Sequence, residues 1–141
     1  MKPHRDDIKL INDEFIIEQK SRIYYGIFSP KNLYIKRGST IHGDVICKKK
    51  VYIENDNTIH GDVLSQGLSV VCPGTRIEGS LVSGGSIKVS DNVFVGGDIL
   101  ADGDISVGSV SAKRIEAMGD ITITGEIRTK DIKAGGRIVS K

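Results

Sequence analysis

The chain has 141 residues, 17 of them glycine, three proline and none tryptophan, with 38% hydrophobic and 5% aromatic residues and a net charge of +2. Its length suits one domain, so balanced a charge supplies no strong field for nucleic acid, and apolar runs of a few residues are far too short to span a bilayer. The opening residues MKPHRDDIKL hold no apolar run of the secretory type, and Cys47 and Cys72 read as free thiols in a reducing compartment, so the expected location is the cytoplasm.

Residues 1–14 are polar and read as an N-terminal arm. From Phe15 on, apolar residues come in pairs separated by one residue, and successive pairs start six residues apart: Phe15/Ile17, then Ser21/Ile23, then Ile27/Ser29. Residues two apart point to the same face of a strand. Residues 15–32 therefore read as one atypical coil that caps the solenoid, with most of the chain's aromatics. The competing reading is an amphipathic helix over residues 6–20, built on Ile8, Ile11 and Phe15; the six-residue spacing favours the coil.

Residues 33–104 are four blocks of 18 residues, with Gly43, Gly61, Gly79 and Gly97 at the same place in each. A fixed short period marks a chain that stacks on itself. Each block holds three pairs, which predicts three short strands per coil. The inward members are Leu33, Val45, Val51, Val63, Leu81, Ile87, Val93, Ile99 and Ile105, then Ile35, Ile41, Ile53, Ile59, Val71, Ile77, Val89, Val95 and Val107. Small residues (Ser39, Cys47, Ser65, Ser83, Ala101) complete the pairs that lack an apolar member. The recurring glycine marks a bend that needs positive φ or a close backbone approach, and Asp44, Asp62, Ser80 and Asp98 after it read as turn residues bonding the local backbone. Beyond Val107 the pairs start at Val110, Ile115, Ile121, Ile127, Ile132 and Ile138, so residues 105–141 form shorter coils of 16 and 17 residues. The expected fold is all-β, a three-sided parallel β-helix of six to seven coils over residues 15–141.

Three side-chain groups are candidates for chemistry. His42 and His60 share a column and should stack, but the column continues to Glu78 and Gly96. Two histidines and one carboxylate are a sparse zinc set, and partly exposed surface histidines are the simpler reading. The nine-residue period of calcium-binding repeats is absent, so Asp44, Asp62 and Asp98 read as turn formers. Lys48, Lys49 and Lys50 read as solvated charges that discourage sideways strand pairing. No nucleotide, nucleophile-elbow or zincin motif occurs, and no catalytic, cofactor or metal site is expected.

With IHGDV at 41–45 and 59–63, IEGSL at 77–81 and VGGDI at 95–99, the chain resembles the bactofilins, a bacterial cytoskeletal family. The resemblance covers residues 33–141. It implies a right-handed, three-sided β-helix, cytoplasmic or membrane-associated, that polymerises end to end without nucleotide and scaffolds cell-shape and envelope-building proteins. The partner expected first is therefore the protein itself. A coil end presents unpaired N–H and C=O groups over an apolar core, so the expected joint residues are Phe15, Ile17 and Ile23 at one end and Ile123, Ile127, Ile132 and Ile138 at the other. The alternatives are a left-handed hexapeptide-repeat enzyme, such as an acyltransferase or a γ-class carbonic anhydrase, and a β-helical adhesin or phage-fibre segment.

Overall fold

A computed structural model describes residues 8–141. Among these residues every regular element is a strand, and the strands form three sheets that wind into a β-solenoid of about seven turns. The first sheet stacks Ile8–Ile11, Glu14–Ile17, Asn32–Ile35, Val51–Ile53, Ser69–Val71, Ile87–Val89, Ile105–Val107, Ile121–Ile123 and Ile138–Ser140. In the second, Arg22–Ile23, Thr40–Ile41, Thr58–Ile59, Arg76–Ile77, Val93–Val95, Val110–Ser111 and Ile127–Arg128 follow one another. The third runs through Ile27–Ser29, Val45–Cys47, Val63–Ser65, Leu81–Ser83, Ile99–Ala101, Arg114–Ala117 and Asp131–Ala134. The expected three-sided parallel β-helix is the fold, and residues 15–32 make a full coil whose strands pair with the next. The alternative helix over residues 6–20 does not form where the chain is described.

Strands form here because Ile and Val alternate with polar residues, and β-branched side chains suit a pleated surface. Every expected inward residue from Leu33 to Val107 is buried, including the substitutes Ser39, Cys47, Ser65, Ser83 and Ala101. Each buried aliphatic side chain contributes about 1.5–3 kcal/mol. Register is uniform: Ile41 pairs with Ile59, Arg76–Ile77 aligns with Thr58–Ile59, and Ile77 pairs with Val95. After Val107 the shorter coils keep the pairing, with Ile105 on Ile121 and Ile121 on Ile138.

Part of the stretch read as a polar arm is structured. Ile8–Ile11 runs antiparallel to Glu14–Ile17, joined by Asn12 and Asp13 with φ of 51° and 63°. Two successive left-handed residues fit the tight hairpin turn whose twist matches the strands. Asp13 also pairs with Lys31 of the first coil, and Ile8, opposite Ile17, packs on the core. The remainder of the expected arm, residues 1–7, lies outside the described residues.

The recurring glycines serve close approach. Positive φ among the glycines occurs only at Gly38 and Gly74 of the described residues. A Cβ on Gly61 would sit 2.6 Å from the Gly43 carbonyl oxygen and 2.2 Å from Asp44 Oδ1. The aspartates bond between coils, not within a turn: Asp62 N donates to Asp44 Oδ1, Ser80 N to Asp62 Oδ1 (both 2.8 Å), and Asp98 N to Ser80 Oγ at 3.0 Å. A second 18-residue column, at the corner from first to second sheet, does need left-handed backbone: Lys20, Gly38, Asp56, Gly74 and Asn92 have φ between 57° and 80°.

Two glycine substitutions separate these constraints. Gly61→Ala must push backbone against backbone and should cost about 2–3 kcal/mol, whereas Gly38→Ala carries only the left-handed strain, about 1 kcal/mol. Equilibrium urea denaturation measures both; equal losses would mean that coil spacing gives way at the Gly61 corner.

Candidate functional site

The ends of the solenoid differ. At the N-terminal end Ile17 and Ile23 are fully covered and Phe15 is half-buried. The antiparallel strand Ile8–Ile11 occupies the outer edge of the first sheet there, leaving Leu10 57% exposed. At the C-terminal end Ile127–Arg128, Asp131–Ala134 and Ile138–Ser140 are the outermost described strands of their sheets. Ile121, one coil in, is fully buried, but Ile123, Ile127, Ile132 and Ala134 are only partly covered and Ile138 is 46% exposed. The seven residues expected at the joints thus divide into a closed group and an open one. Leu10 escaped the sequence reading because the hairpin breaks the six-residue step; the apolar spacing Ile8–x–Leu10 before Asn12–Asp13 was the available signal.

The histidine column forms as expected. Tyr24, His42 and His60 stack along the solenoid axis, with ring centroids 5.0 Å and 4.6 Å apart. His60 Nδ1 is hydrogen-bonded to Glu78 Oε1 at 2.7 Å. That bond, helped by Arg76, holds the Glu78 carboxyl below the usual carboxylate range. Arg76 in turn lies over Phe94, 4.1 Å from the ring centre. The column gives a rigid polar and aromatic ridge. Among the described residues, no three His, Cys, Asp or Glu side chains come together as a metal site. Asp44 and Asp62 spend one oxygen each on the backbone of the next coil.

On the first sheet Tyr34 and Tyr52 stack at 4.8 Å. Tyr34 donates to Glu54 Oε2 at 2.5 Å, and Glu54 Oε1 also accepts from Arg37 N at 2.9 Å. With Leu68 and Val70 the two rings line a groove of about 290 Å³. The bond to Glu54 pushes the Tyr34 phenol above its ordinary value, because ionisation would set a phenolate beside a carboxylate. Cys47 is buried, which raises its thiol pKa, and Cys72 is half-buried; neither forms a disulfide.

Because the folded-state value for Tyr34 is raised, the bond stabilises the fold below the phenol's unfolded value of about 10, and that contribution is lost as pH rises through the higher folded value. Glu54→Gln should therefore make Tyr34 ionise at lower pH, read as phenolate absorbance in an alkaline titration and assigned with Tyr34→Phe. An unchanged titration in Glu54→Gln would mean that the carboxylate does not control this phenol. No family model, curated protein or solved structure matches the chain.

Proposed function

We propose that the chain is a self-assembling scaffold that lengthens end to end through its coil ends, without nucleotide, as its resemblance to the bactofilins implies. One observation carries the reading: the C-terminal coil leaves Ile123, Ile127, Ile132 and Ile138 partly uncovered beside three outermost parallel strands. A strand edge of this kind templates further pairing. A second copy stacked there by its first coil, whose Arg22–Ile23 and Ile27–Ser29 are the outer strands of their sheets, continues those two sheets and covers the apolar rim, gaining on the order of 1 kcal/mol from each side chain. The joint needs no bound nucleotide, since main-chain hydrogen bonds and aliphatic burial supply the whole association. A repeating filament then offers its faces many times over to cell-shape or envelope-building partners on the cytoplasmic side. No helix among the described residues is long and apolar enough to cross a membrane.

Sedimentation and negative-stain microscopy at physiological salt test the proposal. Wild-type protein should form filaments, and Ile138→Asp, which puts a charge at the half-exposed rim, should shift it to short species while the far-ultraviolet circular dichroism stays unchanged. Wild-type protein that remains strictly monomeric at high concentration overturns the reading. Filaments surviving Ile138→Asp place the joint away from the C-terminal coil.

A further inference from the structure

The middle residue of each of the first five third-sheet strands points outward, away from the two buried residues beside it. Over five coils these residues are Phe28, Ile46, Leu64, Val82 and Leu100, aligned by the strand register. Phe28 is 60% and Ile46 41% exposed; Leu64, Val82 and Leu100 are half-buried. The stripe then turns polar at Glu116 and Lys133. The second sheet has a different outer row, with Arg22, Thr40, Thr58 and Arg76 in the equivalent coils. The interior requires aliphatic residues at inward positions; it requires nothing of these five. A contiguous apolar stripe on an outer sheet face marks an interaction surface, and two sheets pack face to face about 10 Å apart.

Charge along the corner that follows the third sheet says what covers it. The first two coils place Lys31, then Lys48, Lys49 and Lys50 there; the next two place Gln66–Gly67 and Gly84–Gly85; the following two place Asp102 and Asp104, then Asp120. Over the six coils from Lys31 to Asp120 the corner thus runs from basic through neutral to acidic; the seventh coil places Gly135, Gly136 and Arg137 there. A two-fold axis lying in the interface along the strands keeps strand direction and reverses the solenoid axis. It sets this corner against the same corner of a second copy, running the opposite way, so basic coils meet acidic ones. A parallel pair would instead set Lys48, Lys49 and Lys50 against Asp44 but Asp102 and Asp104 against Asp98 of the opposite corner, so it is complementary at one end only.

We propose that two copies of this chain pack third sheet on third sheet, antiparallel, with Leu64 of one copy over Val82 of the other and Ile46 over Leu100. In this register the four apolar coils from Ile46 to Leu100 face one another and Phe28 falls opposite Glu116, so about 4.8 Å per coil and a face roughly 15 Å wide give on the order of 300 Å² of apolar contact per copy. That is less than half of the roughly 800 Å² per partner of a standard stable interface. The pair is therefore weak between single copies and strong where many copies are held in line, because each further contact is intramolecular. Electrostatic complementarity fixes the antiparallel choice more than the affinity.

Charge reversal tests the pairing independently of end-to-end growth. Lys48→Glu/Lys49→Glu/Lys50→Glu is one variant and Asp102→Lys/Asp104→Lys the other, each made in wild-type and Ile138→Asp protein. Association is read by sedimentation equilibrium at low and high salt and, where filaments form, as their width. Each variant alone should associate with itself about tenfold more weakly than its parent. An equimolar mixture of the two should recover, since the two corners are then complementary again, and Leu64→Lys should abolish pairing in every background. Self-association unchanged by either reversal, or a mixture that fails to recover, overturns the antiparallel pairing. In filaments, a width unchanged by both reversals likewise overturns the pairing, whatever happens to their length.

Discussion

Everything in this molecule depends on one spacing, the distance of about 4.8 Å between a strand and its equivalent one coil later. Parallel pairing at that distance sets each side chain on a copy of its own position. Ile41 lies on Ile59, and His42 stacks on His60 at 4.6 Å. Columns of identical chemistry follow, and each must tolerate its own neighbour. Aliphatic columns do so by excluding water. Charged columns do not, and some outward positions change in kind from coil to coil, as where His60 passes to Glu78 and Glu116 to Lys133; where Asp44 does stack on Asp62, its carboxylate is held by the Asp62 amide. The same spacing makes the corners tight. With the next turn of backbone 2.6 Å from where a Cβ would be, Gly61 has no substitute that leaves the stack undisturbed.

Legibility in the sequence follows the same division. Inward residues were readable because strict alternation leaves one choice of face, and the three-strand coil followed from a period of 18 with pairs every six. The shorter coils after Val107 were readable for the same reason: Val110, Ile115, Ile121, Ile127, Ile132 and Ile138 each begin or enter a strand. What alternation could not give was anything depending on a partner one coil away. The aspartate after each glycine has a local explanation in sequence and a different one in space, since its acceptor oxygen serves an amide 18 residues on. The hairpin at Asn12–Asp13 and the left-handed column through Lys20, Asp56 and Asn92 rest on non-glycine residues in a backbone state that their identity permits but does not announce. The outward stripe was visible as the middle letter of five triplets, yet it becomes one continuous row only through the parallel register that sets those strands side by side.

Repetition also decides where function can lie. A column built to match its neighbours offers the same chemistry along its length, so it makes a surface and not a pocket. The grooves that do occur, such as the one beside Tyr34 and Tyr52, lie on the outer faces. Departures from the repeat are therefore the informative positions: the uncovered aliphatic rim at Ile132 and Ile138, and the charge gradient from Lys48 to Asp104.

A stack of near-identical coils meets one further difficulty. Slipping one strand by a single residue turns its apolar side chains outward and is heavily penalised, but slipping by a whole coil preserves every inward aliphatic. Aliphatic burial alone cannot choose between those registers. The polar residues inside the solenoid can. Asn57 accepts from Ser39 N through Oδ1 and donates to Glu54 O through Nδ2, and only the observed stacking brings it beneath Ser39. Ser65, Ser69 and Ser83 bond one another between 2.7 and 3.2 Å, a cluster with members in two successive coils. Moving either set by one coil would leave buried polar atoms without partners, at about 1–3 kcal/mol each. Among the described residues no buried side-chain polar atom lacks a partner in the native register. The core gives up some aliphatic burial at these positions, and in exchange the coil count is fixed, which fixes the separation and orientation of the two ends.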